Sequence, residues 1–143
     1  MKSVRFGGST KEHVEISVSG YERAPTGDYH DDNWLLADVS VHAGAFLGHY
    51  SATFQAADFE GFHAQLATLY QSLRGEAIFE TLEEQLRLSL KGNGLGQIEL
   101  SGVAADLAGT GNTLEFRLEL DQTQLATPLG ALATLIATYP ART

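Results

Sequence analysis

The sequence predicts an α+β fold in which a mostly antiparallel β-sheet carries two α-helices packed on one face. Three observations lead there. Through most of the first hundred-odd positions apolar and polar residues alternate, the period-two signature of strands with one buried face. Two stretches, near 58–73 and 124–138, change to the spacing of amphipathic helices. The order is strands, helix, strands, helix, without the regular alternation that builds a parallel sheet. The chain of 143 residues contains no linker or low-complexity tract, so residues 1–143 read as one domain, of a size that buries roughly two thirds of its unfolded surface.

Taken in order, Val14, Ile16 and Val18 alternate with Glu15, Ser17 and Ser19, and a Pro-, Gly- and Asp-rich loop follows at 24–32. A strand over 33–43 places Leu35, Ala37, Val39 and Val41 on one face. Its partner over 46–55 returns through Gly44-Ala45, where glycine first suits a type II′ turn. Pairing Ala43 with Phe46 sets Val39 opposite Tyr50 and Ser40 opposite His49, and both faces stay chemically consistent. The first helix carries Phe59, Phe62, Leu66, Leu69 and Leu73 on one stripe, with Asp58 as the expected N-cap and Gly75 as the stop. Ala77-Ile78-Phe79 reads as a short strand. Leu86, Leu88 and Leu90 form the next, turning at Gly92-Asn93-Gly94 into Ile98 and Leu100. The last strand sends Leu114, Phe116, Leu118 and Leu120 inward and closes at Asp121. A helix follows over about 124–138, with Pro128 in its first turn and Pro140 beyond its end.

Composition excludes several classes. There is no cysteine, hence no disulfide scaffold, zinc–thiolate site or thiol nucleophile, which suits a reducing compartment. The N-terminus lacks the apolar run of a signal peptide, and no stretch is apolar for long enough to span a bilayer. The expectation is a cytoplasmic protein. Eighteen acidic residues face nine basic ones, and between 24 and 86 ten acids stand against Arg74 alone. Such a field repels phosphate, so nucleic acid and anionic membrane are poor partners, whereas a basic protein is steered in. Acidity also serves plain solubility.

No constellation identifies an enzyme, and no motif asks for a cofactor. The hairpin register puts Asp38, His42 and His49 on one sheet face, within reach of a metal or of acid–base chemistry, although a solvated face produces the same pattern. A small metal-dependent binder or enzyme is therefore one alternative reading, and a structural adaptor is another. His13 and His63 have no evident companions. Asp28, His30, Asp31 and Asp32 lack the ligand spacing of an EF-hand. No Gly-x-Ser-x-Gly elbow is present. Gly92-Asn93-Gly94-Leu95-Gly96 joins two strands and has no helix N-terminus for a phosphate. Trp34, the one tryptophan, suits the core or an interface.

Three features in order, Asp32-Asn33-Trp34-Leu35 opening a strand, the Gly44-Ala45-Phe46 turn, and Asp121-Gln122-Thr123-Gln124-Leu125 between last strand and last helix, resemble the WapI-like family of bacterial immunity proteins. The similarity runs from about 32 to 136. The resemblance implies a cytoplasmic protein that neutralises the C-terminal domain of a secreted polymorphic toxin, commonly an RNA-cleaving nuclease. Asn33 and Trp34 would fix entry to a strand, and Asp121 or Thr123 would cap the last helix. An acidic binder fits a nuclease whose surface is basic, and the partner-binding candidates are Asp28, Asp31, Asp32, Glu80, Glu83 and Glu84. Oligomeric state stays open.

Overall fold

The computed structural model describes residues 1–7 and 11–143. Strands β1 (Lys2–Gly7) and β2 (His13–Tyr21), the one-turn helix α1 (Tyr29–Asp32), and strands β3 (Trp34–Ala43) and β4 (Phe46–Gln55) lead into helix α2 (Ala56–Ser72). Strands β5 (Arg74–Phe79), β6 (Leu86–Asn93), β7 (Gln97–Ala105) and β8 (Thr113–Asp121) follow, then a 3-10 turn (Gln122–Gln124) and helix α3 (Ala126–Thr138). All the pairings are antiparallel, and the strands divide into two four-stranded sheets, β1-β2-β3-β4 and β5-β6-β7-β8. The α+β class is as expected. The chain thus runs a four-strand meander and a helix twice, because α2 carries it away from the β4 edge before β5 begins a new sheet.

The β3–β4 register pairs Ala43 with Phe46, Ser40 with His49 and Val39 with Tyr50, as the alternation requires. Gly44 sits at φ 61° while Ala45 does not enter the left-handed region, the sign pattern of a type II′ turn. The ends of α2 differ from expectation. The helix begins at Ala56, so Asp58 occupies its third position and accepts the Gln55 backbone N–H at 3.0 Å in a capping box. Burial pushes the Asp58 carboxyl up, with the bond from Gln55 opposing. The left-handed stop is Leu73 (φ 62°), and Gly75 lies already in β5. The last helix also differs from expectation: Asp121 caps the 3-10 turn that precedes it, and α3 itself starts after Leu125 without a side-chain cap. Asp121 accepts the Thr123 N–H at 2.9 Å, and the Gln124 side chain accepts the Asp121 N–H at 3.0 Å.

Inward residues of both sheets and both long helices form one core cluster. α2 packs against β5, α3 returns across the molecule to β1, and the two helices touch. At the centre the Phe79 ring lies 5.4 Å from Phe54, 5.3 Å from Phe59 and 5.4 Å from Phe62, centroid to centroid. On β7, a Cβ at Gly102 would stand 2.2 Å from the Phe116 ring of its cross-strand partner. That position therefore requires glycine whatever its backbone angles.

Candidate functional site: two acidic loops and the faces between them

The first acidic loop spans 24–32, between β2 and β3. Asp32 is buried (4% exposed), and its carboxylate accepts the Thr26 N–H at 2.7 Å, the Thr26 hydroxyl at 2.7 Å and the Gly27 N–H at 2.8 Å. Burial pushes this carboxyl up, but those hydrogen bonds and the Arg142 guanidinium outweigh it and hold the group below the usual carboxylate range. Asp32 therefore closes the loop on itself. Asp28 and Asp31 stay exposed. Asp28 caps α1 by accepting the Asp31 N–H at 3.0 Å, and Asp31 lies 4.0 Å from Arg23.

Asn33, fully buried, joins this loop to the segment following α3. Its Nδ2 donates to Tyr29 O (2.7 Å) and Arg142 O (2.9 Å), and its Oδ1 accepts the Arg142 N–H (2.6 Å). The Arg142 guanidinium donates to the Asp32 and Arg23 carbonyls and lies 3.8 Å from the Tyr21 ring centroid. Trp34, next along, is half-buried.

The second acidic loop, 80–85, joins β5 to β6. A turn closes where the Glu84 N–H donates to Thr81 O at 3.2 Å, with Glu84 at φ 56°. Glu80, Glu83 and Glu84 are exposed, as is Leu82 (71%). Glu80 is 4.0 Å from Arg87. Among the described residues no ion pair engages Glu83 or Glu84. Gln85 is buried and pins the loop. Its carbonyl accepts the Tyr50 hydroxyl (2.6 Å) and the Ala105 N–H (2.9 Å), and its Nε2 donates to Ser51 O (3.3 Å). The two loops thus meet β4 at separate places. One sits at the Gln55 end, where Gln55 Nε2 donates to His30 O; the other lies at Tyr50 and Ser51, roughly 13 Å along the strand at ~3.3 Å per residue.

Burial pushes the Tyr50 phenol far above its ordinary value. The folded chain holds that proton more tightly than the unfolded chain, so the stability it brings is intact below about pH 10 and lost above it. Tyr50→Phe is expected to cost about 1 kcal/mol at neutral pH, the worth of one hydrogen bond, and to flatten the decline in stability above pH 10. Denaturant unfolding of both forms at pH 7 and 10.5 checks this; parallel pH profiles would refute it.

On the outer face of the first sheet, the Ser51 hydroxyl donates to Asp38 at 3.0 Å, and His49 stands opposite Ser40. His42 has His13 as its cross-strand partner, ring centroids 6.0 Å apart. His13 lies on β2, so its pairing with His42 on β3 is invisible until the β2–β3 register is known. Among the described residues no group of three or more His, Cys, Asp or Glu is placed to hold a metal ion, and no helix is long and apolar enough to cross a membrane.

The outer face of the second sheet carries further acids. Glu76, Lys91, Glu99 and Glu119 lie side by side across its four strands. Glu99 and Glu119 are directly opposed like charges, an unfavourable pair. The Gly92–Gly96 segment is the expected turn, with Asn93 Oδ1 accepting the Leu95 N–H at 2.7 Å and the Gln97 N–H at 3.2 Å.

Comparison with known proteins supplies what the geometry does not. No match is found among curated proteins. Among solved structures the chain is similar to Trypanosoma bruciei MRP1/MRP2 at 14% identity, covering 96% of this chain and 84% of that one with a TM-score of 0.48. It is similar also to the siderocalin Ex-FABP at 9% identity, covering 96% and 77% with a TM-score of 0.26. Neither likeness bears on function. A family description matches residues 5–140, nearly the whole length. The chain belongs to the immunity protein WapI-like family.

Proposed function

We propose that this protein is a cytoplasmic immunity protein, not an enzyme, that binds the C-terminal domain of a cognate polymorphic toxin and neutralises it without a cofactor. The toxin domain is a nuclease with a basic surface, and the contact is made by the acidic loops carrying Asp28, Asp31, Glu80, Glu83 and Glu84, with Asp32 shaping the first of them. The observation that supports this reading, given the family, is the localisation of charge. Ten acids face one arginine between residues 24 and 86, and Glu83 and Glu84 are exposed with no ion pair among the described residues. A nuclease presents cations to phosphates. A surface that imitates the phosphate field meets those cations at an electrostatically steered rate and leaves no room for substrate. The same field argues against nucleic acid and anionic membrane as partners.

Charge reversal tests the surface. Glu83→Lys with Glu84→Lys is expected to slow association with the toxin domain at least tenfold at low salt and to weaken its salt dependence, since steering falls with the field. Unchanged association in stopped-flow mixing would refute the assignment to this loop.

A further inference from the structure

Exposed apolar side chains gather at the tip of the β3–β4 hairpin, on the strand whose Tyr50 holds the second acidic loop. Phe46 (65% exposed) and Leu47 (74%) form the tip of the β3–β4 hairpin. A groove of about 330 Å³ runs from this tip to the ends of β7 and β8, walled by Phe46, Leu47, Tyr50, Ala104, Asp106 and Leu114. Leu107, 62% exposed, follows Asp106 on the loop that forms one wall. The turn bearing Leu82, Glu83 and Glu84 is fastened to the same place. Gln85 takes hydrogen bonds from Tyr50 and Ala105 on its carbonyl, and its Nε2 reaches Asp106 O at 3.5 Å.

We infer that the groove and the adjoining turn are one docking surface for the basic toxin domain, with Phe46 and Leu47 as apolar anchors and Glu83, Glu84 and Asp106 as the acidic rim. This rests on the partner proposed above. Charge complementarity selects that occupant. Among the described residues the groove is lined by no lysine or arginine, His49 being its one basic side chain, and Arg87 is matched by Glu80 at 4.0 Å. A rim of carboxylates around an apolar centre therefore receives lysines and arginines around an apolar side chain. An aromatic residue at the centre of such a patch supplies most of the affinity, while the surrounding charges set orientation and association rate. Phe46 and Leu47 stand on a rigid hairpin whose opposite end is held in the core by Leu35 and Phe54, so little ordering is needed on binding.

The test is calorimetric titration of the proposed cognate toxin domain with the wild-type chain, the Phe46→Ser/Leu47→Ser double variant, Leu107→Ser and Leu95→Ser. Leu95, 84% exposed, lies at the opposite end of β7 and serves as control. The double variant is expected to bind about thirtyfold more weakly or worse, with salt dependence retained because the rim is intact, and Leu95→Ser to bind as wild type. Leu107→Ser, on the loop wall, should weaken binding several-fold and keeps the test open if the hairpin variant is poorly folded by thermal melting. Wild type that binds together with double and Leu107 variants within twofold of it overturns this inference and leaves the partner standing. Wild type that fails to bind overturns the partner and the inference together. A wild-type dimer in sedimentation that the double variant converts to monomer overturns it in favour of a second copy of this chain.

Discussion

Phe79→Ala is expected to lower stability by about 4 kcal/mol, the upper part of the range for truncating a buried phenylalanine, and the melting temperature by roughly 15 °C for a chain of this size. The reason is placement. Phe79 is fully buried and is the ring on which Phe54 from β4 and Phe59 and Phe62 from α2 converge at 5.3–5.4 Å. Truncation opens a cavity walled by three rings from two elements, and neither element is free to collapse into it, since β4 is held by strand pairing and α2 by its capping box. Phe79→Leu should recover more than half of the loss. A loss below 2 kcal/mol in denaturant unfolding, with the slope unchanged, would show that the aromatic cluster is not the hub described.

Asn33→Ala should cost about 3 kcal/mol by the same measurement. Three part-buried hydrogen bonds go at once, and two carbonyls and one N–H lose a partner, each costing ~1 kcal/mol. The effect should also be local. Arg142 N–H and the amides of 26–32 should lose hydrogen-exchange protection before the strands do, because Asn33 ties the segment after α3 to α1. Asn33→Asp keeps the acceptor for Arg142 but loses both donors and sets a carboxylate against two carbonyls, so it should be no better tolerated than alanine. Retention of full exchange protection at Arg142 in either variant would contradict this role.

These two residues differ in how far they can be read from sequence. Phe79 ends the short apolar run Ala77-Ile78-Phe79, so a buried strand is legible there, although the run does not say which of Ile78 and Phe79 faces the core. Asn33 looks like a turn residue, and its main partner lies 109 positions away, beyond any periodic signal. The same contrast runs through the fold. The β3–β4 register was legible because Gly44 dictates the turn and one slip would turn Val39 and Val41 outward. The N-terminal strand was not singled out, because Lys2 and Arg5 interrupt a stretch with only Val4 and Phe6 to bury. The division into two sheets was not legible either, since alternation states which face is buried and not which strand is adjacent.

For the candidate site, the counting of acids located both loops but treated their carboxylates as equivalent. Asp32 is consumed by Thr26 and Gly27, a closure that leaves Asp28 and Asp31 outside. The attachment of the second loop to Tyr50 and Ala105 depends on Gln85, a polar residue whose burial between β4 and β7 has no local signature. The histidine face was partly legible. His42 and His49 follow from the hairpin, whereas His13 needs the β2–β3 register, with its shift between Val18 and Gly20.

The most direct test of the account is co-expression of this chain with the C-terminal domain of the proposed cognate toxin, followed by co-purification and assay of RNA cleavage. The predicted result is a stable complex in which cleavage is abolished, cells survive, and Glu83→Lys/Glu84→Lys weakens protection. Cells that die and a toxin domain that purifies alone, at full nuclease activity in the presence of excess wild-type chain, would contradict it.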